Sequence, residues 1–175
     1  MFMLLDLSRI RTAHAHIEER YPREALRRSD DVYEIVAPVE LTFDLDKKGD
    51  RYRLLGQVRT KLELPCSRCV DPFVVLIDSA FDLDYRPQAA NTGEGELEVE
   101  DDDLSTAYYE DDAIDLDQLI REQLYLALPM KPLCTEACQG LCPLCGINLN
   151  RSACACERTW DDPRLAVLKA LKKDS

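Results

Sequence analysis

Val39-Glu40-Leu41-Thr42-Phe43-Asp44-Leu45-Asp46-Lys47-Lys48-Gly49-Asp50 is the stretch that decides the fold. Val39, Leu41, Phe43 and Leu45 alternate with polar residues, the period of a strand with one face buried, and Lys47-Lys48-Gly49-Asp50 is a polar turn of hairpin type. The pattern begins upstream at Val32 and Ile35 and resumes after the turn at Tyr52, Leu54, Val58, Leu62 and Leu64. Around Leu55-Gly56 it breaks, and the glycine there predicts a bulge. A further strand runs from Phe73 to Tyr85. The connections are short and no helix intervenes, so an antiparallel meander is expected and a parallel sheet is not.

Asp115 and Gln118 have capping-box spacing at the start of a helix whose Leu116, Leu119, Ile120, Leu124, Ala127 and Leu128 share one face. Pro129 stops it, and its apolar face is expected to cover the sheet. A short terminal helix is predicted from Asp162-Pro163, with Leu165, Leu168 and Leu171 as its stripe and Trp160 as an anchor before it. The fold class is therefore α+β: a meander or barrel-like sheet covered by a helix, followed by a cysteine-rich module. The expected divisions are a β core over 1–86, an acidic linker over 87–113, the helix over 114–130 and the module with its terminal helix over 131–175.

The 175 residues include eight cysteines and carry a net charge of −12. That charge excludes a protein whose whole surface embraces a phosphate backbone, since such binding neutralises phosphates with Lys and Arg. It suits a basic protein partner. Glu94 to Asp112 forms the densest acidic run, read as an extended hydrated linker or a docking strip. The N-terminus has charges at Asp6, Arg9 and Arg11 and no long apolar leader, so a cytoplasmic chain with reduced thiols is expected. No segment is apolar for long enough to cross a bilayer.

Six cysteines crowd the tail: Cys134, Cys138, Cys142, Cys145, Cys154 and Cys156. Cys142-Pro143-Leu144-Cys145-Gly146 presents two thiolates to one ion, and a segment with so little apolar surface needs metal to hold one structure. Its other half-site is Cys154 with Cys156 or Cys134 with Cys138, and the spacing leaves both open, along with two four-thiolate sites made from all eight cysteines and a binuclear cluster made from six. Cys66 and Cys69 form a weaker half-site at the tip of the second hairpin. They lie between strands rather than at a helix N-terminus, which argues against a thioredoxin-type dithiol. Structural zinc is expected ahead of iron–sulfur ligation. The only histidines, His14 and His16, belong to no catalytic motif, and an all-thiolate site leaves no open coordination position, so no enzyme is expected.

Gly56-Gln57-Val58 through Leu64-Pro65-Cys66-Ser67-Arg68-Cys69, then Ile114-Asp115-Leu116 through Leu128-Pro129-Met130-Lys131-Pro132, resemble the bacterial YceD family, also present in plastids. The tail motifs Gly140-Leu141-Cys142-Pro143-Leu144-Cys145-Gly146, Asn148-Leu149-Asn150 and Asp162-Pro163-Arg164-Leu165 resemble its cysteine-rich form. The resemblance implies a part in accumulation of large-subunit (23S) ribosomal RNA, hence in ribosome assembly. The expected partners are precursor rRNA or a ribosomal protein, with neither a membrane nor a small-molecule substrate. An alternative role is an acidic holding partner for a small basic ribosomal protein. If the contact is to RNA, the candidate residues are Arg68, Lys131, Arg151, Lys172 and Lys173.

Overall fold

Strand-forming alternation dominates the chain, and the computed structural model describes residues 3–26, 31–88 and 105–156. In chain order the strands are β1 (Leu4–Asp6), β2 (His14–Tyr21), β3 (Glu34–Ile35), β4 (Val39–Lys48), β5 (Arg51–Pro65), β6 (Pro72–Pro87), β7 (Thr106–Tyr109) and β8 (Ala113–Asp115). The helix α1 (Leu116–Ala127) follows directly. The larger sheet runs β2-β4-β5-β6-β7, with β3 added to β5, and β1 pairs with β8 in a separate two-stranded ladder. The protein is thus mostly sheet with one helix.

Val39, Leu41, Phe43 and Leu45 point inward and are at most 1 % exposed. On β5 the buried set is Tyr52, Leu54, Val58, Thr60, Leu62 and Leu64, and β6 adds Ile77, Phe81 and Tyr85. The Thr60 hydroxyl, buried among them, donates to the carbonyls of Ala37 and Pro38 at 3.2 and 3.3 Å, which removes the cost of an unpaired polar group. Leu116, Leu119, Ile120 and Leu124 of α1 close the same core. Asp115 caps the helix by accepting from the amides of Asp117 and Gln118, and Leu128, extended ahead of Pro129, ends it. The outer face of the sheet is laced by cross-strand ion pairs, Arg53 to Asp82 and Arg59 to Asp78.

Several expectations change. Gly56 marks no bulge, because β5 keeps unbroken register with both neighbours, Gly56 facing Phe43 and Phe81. It faces inward, and a Cβ there would collide with Thr42 Oand Phe43 Cβ. The Phe43 and Phe81 rings, with centroids 6.5 Å apart, close over the space that the glycine leaves. The sheets are open rather than barrel-like: among the described residues the path ends at β2 and β7, which do not pair with each other. The sheet is not wholly antiparallel either, since β7 runs parallel to the end of β6.

That strand falls inside the segment expected to be an acidic linker. Tyr109 is buried and its hydroxyl donates to Asp50 O at 2.9 Å, so this tyrosine orders a stretch that charge alone would leave hydrated, while its neighbour Tyr108 is exposed. The rest of the acidic run, 89–104, and the terminal segment 157–175, with its expected helix, Trp160, Lys172 and Lys173, lie outside the described residues. The N-terminal segment supplies β2, an edge strand where His14 pairs with Asp46 and His16 with Asp44. The hydrogen bond that the His16 ring donates to Asp44, aided by one to Glu18, raises the His16 pKa above its ordinary value.

Candidate metal centres

The eight cysteines form two groups of four. Cys66, Cys69, Cys134 and Cys138 make the first site, Cys142, Cys145, Cys154 and Cys156 the second, and within each all sulfurs lie within 4.8 Å of one another. In the first site the Sγ atoms of Cys66 and Cys138 are 3.8 Å apart and those of Cys69 and Cys134 3.7 Å. Disulfide sulfurs sit at about 2.05 Å. A tetrahedron of thiolates about 2.3 Å from a central ion has edges of roughly 3.8 Å, so this spacing fits one four-coordinate ion. Each group has the donors and the spacing to hold a metal ion.

Both sites use the same turn. Val70 N donates to Cys66 O and Gly146 N to Cys142 O, each at 2.9 Å, and the residue after each C-x-x-C is left-handed, with φ of 64° at Val70 and 74° at Gly146. Glycine takes that conformation freely, whereas branched valine strains to reach it. The turn aims backbone amides at the first sulfur of each pair. Burial opposes ionisation of Cys66, but the amides of Cys134, Cys69 and Arg68 outweigh it and bring the pKa down to about 6. The amides of Cys145 and Leu144 do the same for Cys142, also to about 6. Cys138 is lowered chiefly by the side-chain amide of Asn150, 3.3 Å from its sulfur.

The other thiols respond in the opposite direction. The Asp71 amide favours the Cys69 thiolate, yet burial and the neighbouring sulfurs push it up to about 12; Cys145, then burial, pushes Cys156 up to about 12. Burial raises Cys134 as well. Four adjacent thiolates repel one another, and a divalent cation at their centre removes that obstacle.

The first site draws two ligands from the β5–β6 hairpin tip and two from the chain beyond α1, so the cysteine-rich tail is fastened to the sheet rather than appended to it. Hydrogen bonds reinforce the junction: Ser67 N to Pro132 O at 2.8 Å and Leu141 N to Arg68 O at 3.1 Å. The Arg68 guanidinium donates to the carbonyls of Cys138 and Glu136 at 2.7 and 3.2 Å. Gly140, at φ 75°, packs so close that a Cβ would lie 3.0 Å from Arg68 O. The Asp71 carboxylate accepts from Asn148 Nδ2 at 2.8 Å and Arg151 Nη2 at 2.9 Å, binding the second knuckle to the hairpin. Asp71, Asn148 and Asn150 were not among the expected site residues; Asn-Leu-Asn between cysteines is the signal for the two asparagines, and Asp71 has none.

Of the residues expected to contact RNA or a partner, Arg68 and Arg151 are engaged in this junction, while Lys131 is exposed beside it. No helix among the described residues is long and apolar enough to cross a membrane.

An open, mostly antiparallel sheet with a helix on its core and a tail held by two tetrathiolate sites defines a small protein built around metal-ready staples. The family model of the large ribosomal RNA subunit accumulation protein YceD matches residues 54–172, and the chain belongs to that family. It is 31% identical over 179 residues to the large ribosomal RNA subunit accumulation protein YCED homolog 1, chloroplastic, of Arabidopsis thaliana, covering 89% of this chain and 56% of the relative. The Zea mays protein of the same name is 31% identical over 143 residues, covering 69% of this chain and 49% of the relative. A Bacillus subtilis protein, YlbN, is 28% identical over 141 residues, covering 79% and 77%. The chain thus spans about half the length of the two plant relatives. No solved structure matches.

Proposed function

We propose that this protein is a non-enzymatic ribosome-assembly factor. It promotes accumulation or processing of large-subunit (23S) rRNA by binding precursor rRNA or a ribosomal protein in the cytoplasm, and both of its thiolate sites take zinc. The observation that carries the reading is family membership over residues 54–172, under a description that names large-subunit rRNA accumulation. The site chemistry supports it. Four sulfurs around one ion leave no position for water or substrate, the arrangement of a structural centre rather than a catalytic one. Zinc is favoured because the sulfur spacing suits a single tetrahedral ion, whereas a polynuclear iron–sulfur core would spread its ligands farther.

A net charge of −12 favours a second reading, an acidic holding partner for a small basic ribosomal protein. Crosslinking followed by pull-down of the tagged chain tests both. Recovery of precursor 23S rRNA, lost as salt rises, supports the RNA contact, and salt-sensitive recovery of a ribosomal protein alone supports the second reading. Recovery of neither overturns the assignment. Turnover of labelled precursor by the purified protein would overturn its non-enzymatic part.

A further inference from the structure

Away from the thiolate sites, β7, the turn that leads from it into β8, and the first turns of α1 surround a groove of about 590 Å³. Its rim carries Glu110, Asp111, Asp115 and Glu122, its walls include Tyr85 and Tyr108, and no lysine or arginine is among the described residues lining it. Tyr85 is the informative member. It is only 6 % exposed, it lines the groove, and its hydroxyl has no hydrogen-bond partner among the described residues. The ring is held in the core while the hydroxyl, reached by water, opens into the groove within range of Glu122 and Asp115. Burial raises its pKa, and Glu122 and Asp115 raise it further, so the phenol keeps its proton and its oxygen remains an acceptor.

The carboxylates and tyrosines of this groove suit a cation with N–H donors. An ammonium or guanidinium has donors and no acceptors, pairs with the rim carboxylates, and is attracted to tyrosine ring faces. A phosphate backbone would be repelled.

We propose that this groove is the docking site for a lysine- or arginine-bearing segment of a basic protein, one cationic side chain seating against Tyr85. The inference rests on the assembly-factor reading and specifies the chemistry of its protein partner.

Fluorescence anisotropy of the zinc-loaded full chain with labelled oligolysine and oligoarginine tests the site, with a Gly-Ser peptide of equal length as the neutral probe. Glu110→Gln with Glu122→Gln alters two exposed side chains and leaves the Asp115 helix cap intact. Glu18→Gln with Glu19→Gln on β2 removes the same charge elsewhere. The groove pair is expected to weaken oligolysine binding by roughly fivefold per carboxylate. Tyr85→Phe should weaken it severalfold, and the β2 pair should change little. If Tyr85→Phe fails to fold, the groove pair decides the matter.

Equal losses in the groove and β2 pairs would overturn the site, as would unchanged binding in the groove pair or tighter binding of an RNA oligonucleotide to the groove. Failures of the site and of the broader reading are separable in the crosslinking experiment. If the groove pair still recovers the ribosomal component that the parent recovers, the groove is wrong and the assembly reading stands. If oligolysine binds in the groove but the parent recovers no ribosomal component, the assembly reading falls alone.

Discussion

Zinc affinity at the first site should depend steeply on pH, with a slope that counts the protons its thiols still hold. Cys145→Ser with Cys154→Ser removes the second site and leaves Cys66, Cys69, Cys134 and Cys138 to be read alone. Above about pH 6.5 Cys66, lowered to about 6, is already a thiolate, whereas Cys134, raised by burial, and Cys69, near 12, remain protonated. An ion that closes on four thiolates must therefore expel at least two protons. The dissociation constant then rises at least about 100-fold, or ~2.7 kcal/mol, for each unit that pH falls between about 6.5 and 7.5. Below about 6, Cys66 takes up a proton as well and the slope steepens to at least about 1000-fold per unit. Affinity is complete at high pH and lost as pH falls. Competition against a chromophoric zinc chelator across this range measures the slope. A slope of one proton or less would mean that fewer than four thiolates close on the ion, and the tetrathiolate geometry would be wrong.

Other consequences are directly measurable. Gly56→Ala forces a Cβ into the backbone of β4, at a cost of about 3 kcal/mol and roughly 6–12 °C in melting temperature; calorimetry showing no shift would refute the packing. Arg121→Met strips the guanidinium from Asp31, whose side chain is 7% exposed, and should cost about 3–5 kcal/mol in a urea titration. A loss below about 1 kcal/mol would place Asp31 in water rather than in the interior. Asp71→Ala releases Asn148 and Arg151 from the hairpin, and tryptic cleavage after Arg151 should quicken by roughly fivefold, about 1 kcal/mol of local opening, while the sheet's circular dichroism is unchanged.

The alternation from Val39 to Leu45 and the cap at Asp115 are local signals, and the strands and helix they predicted are present. Gly56 misled because a missing side chain looks the same in sequence whether the strand bulges there or neighbouring rings fill the gap. β7 was hidden because its two tyrosines lie among carboxylates, so average charge outweighed local aromatic content. The pairing of Cys134 and Cys138 with Cys66 and Cys69 was out of reach for a different reason: spacing along the chain reports local turns, and this grouping is made by the sheet and helix that bring the hairpin tip beside the tail. Arg68 and Arg151 looked like free surface cations because the carbonyls and carboxylate they meet come from distant segments.

The first centre also sets an order of events at birth. Cys69 and Cys134 lie 65 residues apart, and at about 5–20 residues per second a nascent chain carries half a chelate for roughly 3–13 s before its counterpart is made. The sheet can form in that interval, since its apolar core and the cysteine-lined cluster are distinct clusters that meet at Phe73. On the proposed zinc reading, metal supply acts on newly made molecules as a late checkpoint on the tail, and zinc starvation is expected to yield chains with a finished sheet and an unfastened end.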